Sequence, residues 1–141
     1  MSETEKFNKL CSDLNNLRRS VLVVEDEKYD IELAVSAFDD ELLRNKFFVD
    51  IARNGQEAID RLVRYGYDVI FLDLKLPVKD GVEVLEYCRD NTPLTPIIII
   101  TAHEGSDLAR RAPLLSYVGV VSKPLTKTVV IEILRKHKLL M

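Results

Sequence analysis

The sequence predicts an α/β fold in which a parallel sheet carries helices on both faces. Three observations support this. Val21–Val24, Val69–Leu72, Ile97–Ile100 and Val118–Val121 are continuous apolar runs rich in β-branched residues. Unbroken runs, unlike alternating ones, mark strands buried on both faces, as in parallel sheets. Segments with helical apolar spacing separate the runs, and strand and helix alternate about five times. That alternation is the pattern of βαβ units joined by right-handed crossovers.

Residues 2–19 are polar and charged, but Phe7, Leu10, Leu14 and Leu17 recur at spacings of 3, 4 and 3 and fall on one helical stripe. They predict a short amphipathic helix ahead of the main domain. The texture changes at Ser20, where the first strand begins. Ile31, Val35 and Phe38 then share a helical face, and Phe47–Ala52 reads as a weaker strand. Ala58, Ile59, Leu62 and Val63 mark the next helix; Val82, Leu85, Tyr87 and Cys88 mark another. Glu104–Ala112 also reads as a helix, ended by Pro113, which lacks a backbone donor. Val130, Ile133 and Leu134 define a C-terminal helix from Thr126 onward. We divide the chain into an N-terminal helical extension, residues 1–19, and one main domain, residues 20–141.

Composition narrows the function. The 141 residues suit one domain, with 47% hydrophobic and 30% charged residues. The net charge of −3 argues against unaided nucleic-acid binding, which needs a basic face. Cys11 and Cys88 form no metal-spaced pair and read as free thiols of a reducing cytosol. The opening MSETEKFNKL has no apolar stretch of signal-peptide type, and the run at Ile97–Ile100 is far too short to span a bilayer. A cytoplasmic protein without a membrane partner is expected.

In open α/β sheets, ligands bind beyond the carboxyl ends of the strands. Here the first run ends in Glu25-Asp26, the third in Asp73, the fourth in Thr101 and the last in Lys123-Pro124. Each has an ordinary explanation taken singly: an acidic pair caps a helix, an Asp makes a turn, a Thr suits a strand, and Lys-Pro marks an exposed strand end. Together they bring three carboxylates, a hydroxyl and an ammonium to one rim. Clustered carboxylates repel one another without a cation. Hard oxygen ligands suit Mg²⁺, which binds few carboxylates plus a phosphate oxygen. An Asp carboxylate can attack phosphorus to form an aspartyl-phosphate, a reaction that depends on positioning and charge neutralisation. The cation and Lys123 supply positive charge, and the Thr101 hydroxyl can donate to a phosphoryl oxygen.

The stretches VLVVEDE (21–27), DVIFLDLKLPVKDG (68–81), IIIITA (97–102) and VVSKP (120–124) resemble the response-regulator receiver domains of two-component signalling, in order and in spacing, over roughly residues 20–140. The resemblance implies a flavodoxin-like, doubly wound five-stranded parallel sheet of order 2-1-3-4-5. It implies that a sensor histidine kinase or phosphotransfer protein phosphorylates Asp73. Glu25, Asp26, Asp73 and the Lys75 backbone carbonyl would hold Mg²⁺, Thr101 and Lys123 would read the phosphoryl group, and the Lys123–Pro124 peptide would be cis. Small Ala102 matches an open path to the phosphoryl group, and Pro77 and Gly81 fit the loop and helix start after the acceptor. The stretch EDEKYDIELAVSAF also resembles the single-domain regulators that partner phytochrome-type kinases.

The sequence departs from the family pattern in two places. Val120 stands three residues before Lys123, where receivers usually carry Tyr or Phe. The switching response is therefore expected in the loop from Thr101 to Asp107, and Tyr117 reads as a boundary residue packing a helix. Pro113–Ser116 replaces a Gly/Ala-rich connection on the face the family normally uses for output. His103, two residues past Thr101, reads as a solvent-exposed loop residue.

A phosphatase of the haloacid-dehalogenase type is the enzyme alternative, but Lys75 occupies the place of its second Asp. A degenerate receiver would lack the Asp, Thr or Lys, and all three are present. We expect a stand-alone switch rather than an enzyme. It would carry out self-catalysed phosphotransfer and slow dephosphorylation, and would signal to a downstream protein. The N-terminal stripe is too short for a stable isolated helix. It would pack on its own domain, on a second copy in a homodimer, or on the kinase.

Overall fold

The structure, a computed structural model, describes residues 1–15, 18–102 and 119–140, with backbone alone for residues 11–15. The readings made for Leu14 and Leu17 of the stripe, Cys11, His103, the 104–112 helix, Pro113–Ser116, Tyr117 and Val118 lie outside the described residues or side chains. Among the described residues there are five helices: α1 (Glu3–Asn15), α2 (Lys28–Phe38), α3 (Gly55–Arg64), α4 (Gly81–Asn91) and α5 (Lys127–Lys136). The strands are β1 (Arg19–Val24), β2 (Phe47–Ala52), β3 (Val69–Asp73), β4 (Ile97–Thr101) and β5 (Gly119–Ser122). All neighbouring strands pair in parallel, in the order β2-β1-β3-β4-β5.

Alternate residues of each central strand feed two separate cores, because side chains point to opposite faces with period two. Val21, Val23, Phe71, Ile98 and Ile100 pack with Phe38 of α2 and Leu134 of α5. Leu22, Val24, Ile70, Leu72, Ile97 and Ile99 pack with Leu62 of α3 and Leu85 of α4. Phe38 meets Phe47 and Phe71 edge-on, with ring centroids 5.7 and 6.0 Å away. Burying each such side chain contributes roughly 1.5–3 kcal/mol, so the central strands fix the sheet that presents the rim.

Side-chain caps set where the helices begin. The N-cap side chains of Glu27, Asn54, Asp80 and Thr126 accept from the backbone N–H of Asp30, Glu57, Glu83 and Val129. Each satisfies one of the donors a helix start leaves unpaired.

Three packing expectations need correction. Val35 is 46% exposed, because the buried arc of α2 runs through Ile31, Ala34, Ala37 and Phe38. The two small alanines draw the helix onto the sheet and leave Val35 at the margin of the arc. Val63 is likewise exposed, one step beyond the Ala58–Leu62 arc of α3. The last run is not buried on both faces: β5 alternates between half-buried and exposed, and Val120 is exposed. Among the described residues it lies at the edge of the sheet and pairs only with β4. In α1, Phe7 and Leu10 are 64% and 55% exposed, so these two side chains do not dock on their own domain.

Candidate functional site

The strand order reverses between β1 and β3, and the predicted rim residues gather at that switch point. Asp73 ends β3, Glu25 and Asp26 follow β1, Thr101 ends β4, and Lys123 follows β5. The Lys123 backbone N–H donates to the Thr101 carbonyl at 2.8 Å, and the Lys123–Pro124 peptide is cis. A cavity of about 260 Å³ is lined by Asp26, Glu27, Asp73, Leu74, Lys75, Thr101, Ala102 and Lys123.

Lys123 Nζ is the hub. It lies 2.9 Å from Asp73 Oδ2, 2.8 Å from Glu25 Oε2 and 3.1 Å from Asp30 Oδ2. The contacts to Asp73 and Asp30 are hydrogen bonds. The contact to Glu25 is an ion pair outside hydrogen-bonding geometry, and Glu25 Oε2 is buried without a hydrogen-bond donor. Burial of the ammonium works against its charge, but the three carboxylates outweigh that cost and hold the Lys123 pKa above the ordinary lysine range.

Each carboxylate is held differently. Burial pushes the Glu25 carboxyl from 4.5 up to about 7; the Lys123 ammonium pulls against the shift and the Asp73 charge adds to it. Glu25 Oε1 accepts the backbone N–H of Asp26 at 3.2 Å and of Glu27 at 3.1 Å. Asp73 is buried, with Oδ1 accepting the Lys75 N–H at 3.0 Å. Asp26 is exposed at the cavity. One carboxylate oxygen from each of Glu25, Asp26 and Asp73 falls within 4.8 Å of the others. Three carboxylate oxygens converging as hard ligands fit a small divalent cation.

Thr101 is buried at the end of β4, next to the cavity. The exposed Lys75 contributes its backbone beside Asp73. Sequence reasoning missed Asp30, the third partner of Lys123. A trace was available: Asp30 stands four residues after Asp26 at the start of a helix, one turn from the acidic pair.

Fold and rim together define a CheY-like domain, and comparison with known proteins gives the family. The model of the response regulator receiver domain matches residues 21–135, so the chain belongs to that family, whose members act in two-component signalling. It is 35% identical over 109 residues to a protein-glutamate methylesterase/protein-glutamine glutaminase of Halalkalibacterium halodurans, covering 76% of this chain and 31% of that protein. The chain spans from 12% to 36% of the length of the curated relatives compared. Among solved structures it resembles the chemotaxis response regulator CheY4 of Vibrio cholerae, with a TM-score of 0.74 and 22% identity over 86% of this chain and 99% of that one; this likeness shows the fold. The bacteriophytochrome response regulator AtBRR is similar at 29% identity and TM-score 0.73, over 89% and 96% of the two chains. That neighbour supports the subgroup resemblance read from EDEKYDIELAVSAF.

Proposed function

We propose that the domain is a phospho-acceptor switch: Asp73 takes a phosphoryl group from a histidine kinase or phosphotransfer protein, and the new charge changes the domain's contacts with a downstream protein. The observation that carries this reading is Lys123 Nζ lying 2.9 Å from Asp73 Oδ2, beside three carboxylates that can share a cation. Glu25, Asp26, Asp73 and the Lys75 backbone carbonyl would hold Mg²⁺, which would supply charge neutralisation at the phosphoryl group.

The chain's own residues do the rest. A carboxylate oxygen of Asp73 attacks phosphorus, the bond from phosphorus to the donor breaks, and its electron pair leaves with the donor. The Lys123 ammonium offsets charge on the transferred group, and the Thr101 hydroxyl donates to one of its oxygens. Attack of water on phosphorus later returns the free carboxylate. The chemistry is self-catalysed on the domain's own side chain, so this is a signalling domain without a turned-over substrate.

The same reading assigns residues 20–141 to the receiver and residues 1–19 to a contact-making extension. It includes a cytoplasmic location. Among the described residues, no helix is long and apolar enough to cross a membrane. The likeness to AtBRR points to a phytochrome-type kinase as the donor. To test the reading, the chain is incubated with acetyl phosphate in Mg²⁺ or in EDTA. We expect phosphoryl mass with Mg²⁺ alone; an equal gain in EDTA contradicts the role of the cation.

A further inference from the structure

The loop from Leu74 to Asp80 follows Asp73 and closes on itself. At its start, the Lys75 N–H donates to Asp73 Oδ1 at 3.0 Å. At its end, the Gly81 N–H donates to the Leu74 carbonyl at 2.9 Å, and a Cβ on Gly81 would lie 2.5 Å from Leu74 Cα and 2.7 Å from the Asp73 carbonyl oxygen. Between these ends, Val78 has φ 68°, in the left-handed region. A β-branched residue is a real outlier there. Val78 is also 78% exposed, so packing of its side chain does not account for its backbone.

Across the loop stands the start of α3. Gly55, the buried first residue of that helix, abuts the Lys79 backbone. A Cβ on Gly55 would overlap the Lys79 carbonyl oxygen and lie 2.7 Å from the carbonyl carbon and 2.8 Å from Lys79 Cβ. The obstacle is largely main chain, which cannot swing aside as a side chain tip can. Asn54 anchors Gly55 by capping α3, accepting the Glu57 N–H at 2.8 Å. Gly66, just past the other end of α3, would meet nothing within 4 Å.

We infer that Gly55 is a positioning residue for the Asp73 site. Its missing side chain lets the start of α3 press the loop at Lys79, which keeps Val78 left-handed and sets Lys75 against Asp73 at the other end of the loop. This rests on the reading of Asp73 as phospho-acceptor beside a Mg²⁺ site. A side chain at Gly55 displaces the loop outward and carries Lys75 with it. Residues that orient metal ligands indirectly typically change metal affinity by about 10–100-fold when altered.

The test compares the full-length wild type with Gly55→Ala, Gly66→Ala and Val78→Gly. The readouts are the Lys75 amide resonance without metal, Mg²⁺ titration and thermal melting. Gly55→Ala is expected to shift the Lys75 resonance and to weaken Mg²⁺ binding about tenfold, while Gly66→Ala changes neither. A Gly55→Ala chain that melts lower, yet keeps the wild-type Lys75 resonance and Mg²⁺ affinity, shows a merely structural glycine and overturns the inference. Val78→Gly keeps the test open if Gly55→Ala does not fold. Val78→Gly frees the same loop from within, so it is expected to shift the Lys75 amide resonance and weaken Mg²⁺ binding in the same direction, and a wild-type Lys75 resonance and Mg²⁺ affinity in this variant overturn the inference. If the wild type itself binds no Mg²⁺, the metal reading fails, and the Lys75 resonance still decides the role of Gly55.

Discussion

The Lys123 ammonium lies 2.9 Å from the Asp73 carboxylate although the two residues stand fifty positions apart in the chain. The contact exists because parallel strands β3 and β5, on either side of β4, deliver their carboxyl ends to the same rim. Asp30 and Glu25 complete a three-carboxylate ring around one cation. Removing that cation leaves buried negative charges facing one another.

Lys123→Met is therefore expected to destabilise the metal-free domain by about 3 kcal/mol, the scale seen when one partner of a buried pair is removed. Mg²⁺ should restore part of the loss, since a second cation can occupy the same field. Thermal melts of the variant in EDTA and in Mg²⁺ check this. A variant that melts like wild type in both conditions contradicts the proposed hub.

The two members of the acidic pair should separate in their effects. Asp26 faces the cavity and is exposed, whereas Glu25 is buried, ion-paired to Lys123 and bonded to the Asp26 and Glu27 amides. Asp26→Ala is expected to abolish Mg²⁺-dependent phosphorylation with little change in melting. Glu25→Ala should weaken Mg²⁺ less and lower the melting temperature more. Mg²⁺ titrations and melts of both variants test the contrast, and undiminished Mg²⁺ affinity in both removes the metal site from this pair.

Much of this arrangement was legible in the sequence because strands buried on both faces write themselves as unbroken apolar runs. The runs ending at Val24, Leu72 and Ile100 lead directly to Glu25, Asp73 and Thr101. Asp30 left only a faint trace, because its partner lies 93 positions away and a first-turn acid has a simpler explanation as a helix-start charge. The exposure of Val120 was hidden in the run itself: an edge strand can carry the same apolar run as a central one, and only the strand order, with β5 last, separates them. Val35 and Val63 show the limit of apolar spacing, since alanines decided which arc of α2 faces the core and Val63 fell just outside the arc of α3.

The N-terminal extension should contribute to association rather than to chemistry. Phe7 and Leu10 are exposed on α1 and far from the rim in sequence and role. Deleting residues 1–18 is expected to leave acetyl phosphate labelling intact, to change the melting temperature little, and to reduce dimer content. Sedimentation of the two chains decides this. Identical association states would leave kinase or target binding as the use of the stripe.

The central claim is that Asp73 is the acceptor, and intact mass tests it most directly. Wild type and Asp73→Asn are incubated with acetyl phosphate and Mg²⁺ and weighed side by side. Wild type should gain the mass of one phosphoryl group and Asp73→Asn none. A variant that gains the full phosphoryl mass at a rate like wild type contradicts the account.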